Sequence, residues 1–186
     1  MRADPELIEI ATGERGMIRG IEACIKSQCL VSAIALIYAS IDSLSALTRP
    51  IDHEDTTAKE FKDWVNTYLL PQGTLACTAE DLYGARCGIL HTHSPESRIQ
   101  RHGSGVVKRL IYCWKSGPPA DAEKPLPHDA MIIIVEDLFE SFKVAVECFI
   151  AAIEADPDLT IRVDKNGSEL LCYRPFEVVT IHLTAP

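Results

Sequence analysis

Residues Cys29 to Leu47 read CLVSAIALIYASIDSLSAL, and how this stretch is taken decides the fold. It is apolar enough to be mistaken for a membrane span. Yet it contains Asp42 and several serines, and its large apolar residues Leu30, Ile34, Ile37, Ile41 and Leu44 recur at spacings of four and three. That recurrence paints one face of a helix, as a buried core helix requires; a span would be apolar all round. The reading is a core helix. Only Gly16 and Gly20 interrupt helical sequence between Glu14 and Thr48, and Pro50 supplies the stop, so one long N-terminal helix is expected to scaffold the protein.

Working outward, the polar loop Asp52–Asp55 leads to Thr56 and Thr57, either of which can cap a second helix, Ala58 to Leu70. Phe61, Trp64, Val65 and Tyr68 share one stripe of it and read as core, and Pro71 ends it. Thr78 caps a third helix, Ala79 to about His93, with Glu80 and Asp81 in the first turn where the helix dipole favours acids. Val106 to Trp114 is strand-like. A fourth helix, about Met131 to Ala155, shows its apolar face through Leu138, Phe142, Val146, Phe149 and Ile153.

The tail changes period. Leu159–Val163, Leu170–Tyr173 and Val178–Leu183 are short apolar or β-branched runs divided by Asn166-Gly167 and Pro175, which predicts a small antiparallel sheet able to include Val106 to Trp114. The expected architecture is therefore mostly α, a single domain over 1–186, with a helical bundle at 14–155 and short strands appended at 156–186.

Composition narrows the class further. With 47% apolar and 24% charged residues the chain is globular in character, not disordered or fibrous. Seven cysteines, an odd number without any C-x-x-C pair and mostly inside apolar runs, suit reduced and buried thiols; with no apolar leader after the charged start, a cytoplasmic protein is expected.

The net charge of −9 argues against indiscriminate nucleic-acid binding. Its distribution says more. Between Leu82 and Gly117 stand Arg86, Arg98, Arg101, Lys108, Arg109 and Lys115 against a single acid, Glu96, with His91, His93 and His102 interspersed. The segment is +5 and the remainder −14, so an anionic ligand would bind here. A solvated charged helix face gives the same pattern without any ligand.

Within this segment Arg86-Cys-Gly-Ile-Leu-His91 sets an arginine and a histidine with four residues between them late on the third helix. The arrangement resembles the R-x(4–6)-H motif of the HEPN superfamily, helical-bundle proteins many of which are metal-independent endoribonucleases. The resemblance covers about residues 14–155 and includes Asp42 near the end of the first helix. It implies a homodimer with Arg86 and His91 as catalytic residues, no cofactor and no metal, RNA as substrate, and in some members an antitoxin-like protein partner. The position after the arginine is often asparagine in active members; here it is Cys87. His93, Arg98, Arg101 and His102 are the candidate substrate-binding residues, with Asp42 and Cys87 in support.

The chemistry suits the pair. RNA cleavage without a metal needs a base for the 2′-hydroxyl, an acid for the leaving 5′-oxygen and a cation at the phosphorane. Histidine titrates near neutrality, and a guanidinium is always charged and fits phosphate oxygens in a fork. Five residues of helix turn through about 500°, so Arg86 and His91 stand about 140° apart on an ideal helix. They converge only through distortion near Gly88 and the helix end, or through a two-fold dimer.

Other readings stay open. Arg86 can pair with Asp42 or Asp81, and His91 can cap the third helix's last carbonyls, both serving structure alone. Zinc at His91, His93 and His102 lacks the accompanying carboxylate or cysteine spacing. The alternative function is a non-catalytic helical module that binds a protein or nucleotide.

Overall fold

The computed structural model describes residues 3–53, 55–92, 107–115 and 127–167, and the side chains of His91 and Thr92 also lie outside what it describes. Seven α-helices and two strands follow in order among these residues: α1 (Pro5–Thr12), α2 (Met17–Lys26), α3 (Leu30–Ala46), α4 (Ala58–Trp64), α5 (Ala79–Thr92), β1 (Arg109–Cys113), β2 (Ala130–Ile134), α6 (Val135–Ala155) and α7 (Pro157–Gly167). The protein is mostly α. No described helix is long and apolar enough to cross a membrane.

Helix α3 lies where the Cys29–Leu47 pattern puts it and turns Ile34, Ile37, Ile41 and Leu44 into the core, with Leu30 half-buried at its start. The long scaffold helix is nevertheless not continuous. It breaks at Ser27-Gln28-Cys29, where Gln28 takes a left-handed φ of 57°, and Gly16 caps α2 instead of lying within it. Packing explains the break, since α2 folds back along α3 and buries Ile21. A straight helix could not make that contact.

Thr57 caps α4 as expected, in a capping box whose return bond runs from the Thr57 N–H to Glu60 Oε2 at 2.8 Å. Beyond Trp64 the helix widens into a π turn, Val65–Leu69, and then tightens into a 3₁₀ turn, Leu70–Gln72, ended by Gly73 at φ 74°. The Phe61, Trp64, Val65 stripe is buried, and Trp64 meets Phe142 and Phe149 of α6 with ring centroids 6.4 and 6.0 Å apart. Leu138, Phe142, Val146, Phe149 and Ile153 of α6 face that cluster and are buried to the last residue.

Three expectations need correction. The sheet is parallel: β1 pairs with β2 in the register Arg109 with Ala130 through Cys113 with Ile134. Residues 130–134 are thus a strand and α6 begins only at Val135, because the three β-branched isoleucines Ile132, Ile133 and Ile134 favour a strand and find a partner in β1. The sixteen residues between the strands, 114–129, meet the length that a parallel crossover needs. Finally, Leu159–Val163 lies within helix α7, and Asn166-Gly167 belongs to that helix instead of making a hairpin turn. The other expected strands, 170–173 and 178–183, lie outside the described residues.

Helix α7 finishes the end of α3. Asn166 Nδ2 donates to the carbonyls of Leu47 and Arg49, each at 3.0 Å, and Arg162 Nη1 donates to that of Thr48 at 3.3 Å. These carbonyls follow the last turn of α3 and have no intrahelical partner ahead of them. Helix α7 thus holds the carboxyl end of α3, the helix that carries Asp42.

Candidate functional site

Helix α3 carries one charged residue, Asp42, and α5 answers it with Arg86. Arg86 Nε donates to Asp42 Oδ2 at 2.7 Å, and Nη2 lies 2.6 Å from the same oxygen. Both side chains are about a quarter exposed, 23% for Arg86 and 26% for Asp42. Arg86 Nη1 reaches Cys87 Sγ at 3.9 Å, and the guanidinium carbon lies 6.0 Å from the centre of the Tyr83 ring. Of the two acids open to Arg86 in the sequence, Asp42 is the one it meets.

The second acid has a different task. Asp81 Oδ2 accepts from the Thr78 N–H at 2.9 Å and the Thr78 hydroxyl at 2.8 Å, while Oδ1 accepts from the Lys108 N–H at 2.6 Å. A buried carboxylate with this many donors fixes the start of α5 against the approach to β1. It thereby sets the axial position of Arg86, five residues on.

The Arg86–Asp42 pair lines a cleft of about 350 Å3 between α3, α5 and the loop that enters α4. Its other walls come from Ser43, Ala46, Thr56, Thr57, Phe61 and Tyr83. Burial opposes the charge on Arg86, but the hydrogen bond and charge of Asp42 outweigh it and hold the guanidinium above its ordinary pKa. Burial, reinforced by Cys87, raises the Tyr83 phenol as well, so it stays protonated through the neutral range. The floor of the cleft is therefore a fixed cation, its carboxylate, a phenol donor and two threonines.

Of the candidate residues, Asp42, Arg86 and Cys87 come together. Cys87 is half-buried, and among the described cysteines only Cys77 is buried while Cys29 and Cys148 are exposed, against the expectation of buried thiols. His91 sits at the end of α5, but its side chain lies outside the described residues, as do His93, Arg98, Arg101 and His102 altogether. Of the other cations in the basic segment, Lys115 turns to α6, its Nζ 2.5 Å from Asp137 Oδ1. The expected aromatic stripe is core. Tyr112 shares a 2.5 Å hydroxyl contact with Tyr38 inside the protein, whereas Trp114 is 38% exposed.

Sequence reasoning missed Ser43, Ala46, Thr56 and Thr57 as cleft residues. Ala46 was recoverable, because four residues after Asp42 falls on its side of the helix, and Ser43 lies three residues before Ala46 on the adjoining stripe. The threonines read as helix caps, which Thr57 is, and nothing local indicates that their loop shares a cleft with α5. No protein-family model, curated protein or solved structure matches this chain.

Proposed function

We propose that the protein is a HEPN-like, metal-independent endoribonuclease that acts as a homodimer, with Arg86 and His91 of both copies around the scissile phosphate. The observation that carries this reading is that Arg86, singled out by the Arg-x4-His spacing, lines an open cleft with its guanidinium oriented by Asp42. An arginine in a sealed core would have no such use. Arg86 supplies the fixed cation at the phosphorane and His91 moves the proton, as base toward the 2′-hydroxyl or acid toward the 5′-oxygen. The surplus of cations among His93, Arg98, Arg101 and His102 offers contacts to neighbouring phosphates.

The dimer is part of the proposal because about 140° of helix separates the two side chains, so a second motif brings the missing group. A cytoplasmic protein with an antitoxin-like partner is compatible with the acidic remainder of the chain.

The test is cleavage of an end-labelled RNA pool with EDTA present, by wild type, Arg86→Ala and His91→Ala. Wild type is expected to cut, and each variant to lose about 100-fold or more of the rate while keeping helicity and dimer mass. Equal cutting by all three, or none by any, ends the nuclease reading. A second reading then stands, a non-catalytic module binding a protein or nucleotide. The observation in its favour is that Nε and Nη2 both engage one Asp42 oxygen, as in a crossbrace between α3 and α5.

A further inference from the structure

The turn between α2 and α3 carries a chemistry that the cleft does not use. Helix α2 ends at Lys26, Ser27 is its C-cap, and Gln28 follows in the left-handed conformation at φ 57°. The Gln28 N–H bonds the Ile25 carbonyl at 2.9 Å and the Cys29 N–H bonds the Cys24 carbonyl at 2.8 Å. Those two bonds define a Schellman motif, and the residues at its two ends are the ones whose side chains ordinarily touch. Here both ends are cysteines.

The geometry bounds their separation. With Cys29 N 2.8 Å from Cys24 O, the bonds on either side limit the Cα–Cα distance to about 6.7 Å, inside the range that disulfides span. The Cys29 thiol donates to the Ser27 carbonyl at 3.6 Å, which keeps its sulfur by the C-cap of α2. Cys29 is exposed and Cys24 is half-buried against the core, so the two differ in access.

We propose that Cys24 and Cys29 form a thiol–disulfide exchange site for low-molecular-weight disulfides such as oxidised glutathione. The exposed Cys29 thiolate attacks one sulfur of the small disulfide, breaking its S–S bond, forming a mixed disulfide and expelling one thiolate. Cys24 then attacks Cys29 Sγ and expels the second thiolate. The protein loses two protons and two electrons, the small disulfide becomes two thiols, and a Cys24–Cys29 bridge clips α2 to α3.

Trypsin cuts after Lys26, between the two cysteines, so the bridge joins two peptides, residues 20–26 and one beginning at Ser27. The experiment treats the full folded chain with oxidised glutathione and follows intact mass and the tryptic map with and without reductant. Wild type is expected to yield the joined peptides, lighter than their sum by two hydrogens, whatever glutathione the exposed Cys148 takes up. Cys24→Ser is expected to stop at the mixed disulfide on Cys29, and Cys29→Ser to leave Cys24 reduced over the same period. A wild type that accumulates the mixed disulfide as readily as Cys24→Ser overturns the proposal. So does oxidation that proceeds without joining these two peptides while circular dichroism shows all three proteins folded.

Discussion

Arg86 on α5 meets Asp42 on α3 through two nitrogens and a single oxygen, Nε at 2.7 Å and Nη2 at 2.6 Å from Oδ2. The contact crosses 44 residues of sequence and ties the two helices that bound the cleft. Because both side chains are about a quarter exposed, solvent screens the pair, and its worth to stability is expected near the upper end for surface pairs, about 1 kcal/mol. A double-mutant cycle with Asp42→Asn and Arg86→Met measures that coupling by denaturant unfolding. A coupling near zero would mean the pair does not brace the helices.

Asn166 offers a sharper stability test, since its amide is buried and serves two carbonyls beyond the end of α3. Asn166→Ala strips both of their side-chain donor and is expected to cost about 1–3 kcal/mol. Asn166→Asp keeps the shape but turns an acceptor toward the Leu47 and Arg49 carbonyls, and should cost at least as much. Thermal unfolding of the two variants decides it. An aspartate variant as stable as wild type would show that these bonds do not hold the end of α3.

Much of this arrangement is legible in the sequence. The apolar spacings of α3 and α6 identify the core because a helix face repeats every three or four residues over long stretches, and Arg86 with Asp42 was readable as a pair. Short segments were less legible. Leu-Thr-Ile-Arg-Val at 159–163 alternates like a strand, yet the burial of Leu159, Thr160, Val163 and Asn166 is helical, and five residues cannot separate the two periods. The missed signal was Asp156-Pro157, a cap followed by proline at the first helical position, with Asp156 Oδ1 accepting from the Asp158 N–H at 2.9 Å. Helix α1 also went unread, although Asp4-Pro5 opens it with the same pair and its side-chain cap bond. The break at Gln28 carried no glycine or proline to announce it.

That break supplies a backbone prediction. Gln28 bears a side chain at φ 57°, so Gln28→Gly relieves the crowding of Cβ and is expected to stabilise by about 0.5–1 kcal/mol. Gly73, at φ 74°, is the converse, and Gly73→Ala should cost about 1 kcal/mol although a methyl there meets nothing within 4 Å. Gly20 lies inside α2 with open space around its would-be Cβ, so Gly20→Ala should stabilise by about 0.5–1 kcal/mol. Three denaturation curves carry the comparison. A stabilising Gly73→Ala would contradict the left-handed cap.

Alkaline pH probes the core where α3, β1 and the start of α5 meet. Burial, aided by the charge of Asp81, pushes the Cys77 thiol from its ordinary 9.0 up to about 11. Burial likewise raises Tyr38 and Tyr112, whose hydroxyls face each other, above the ordinary tyrosine value of 10.0. In each case the folded state holds its proton at a pH where the unfolded chain has released it. The unfolded state then binds fewer protons, so stability falls as pH rises. The thiol's contribution is complete below pH 9 and is lost progressively toward about pH 11, with the tyrosines adding their loss above pH 10. Melting temperature measured at intervals from pH 8 to pH 11 should therefore decline from about pH 9 onward. Cys77→Ala is expected to start lower, through the packing it removes, but to stay flat until the tyrosines begin to titrate. The slope between pH 9 and pH 10, not the absolute melting temperature, is the quantity to compare. Parallel curves for the two proteins across that interval would mean that the Cys77 proton is not linked to folding.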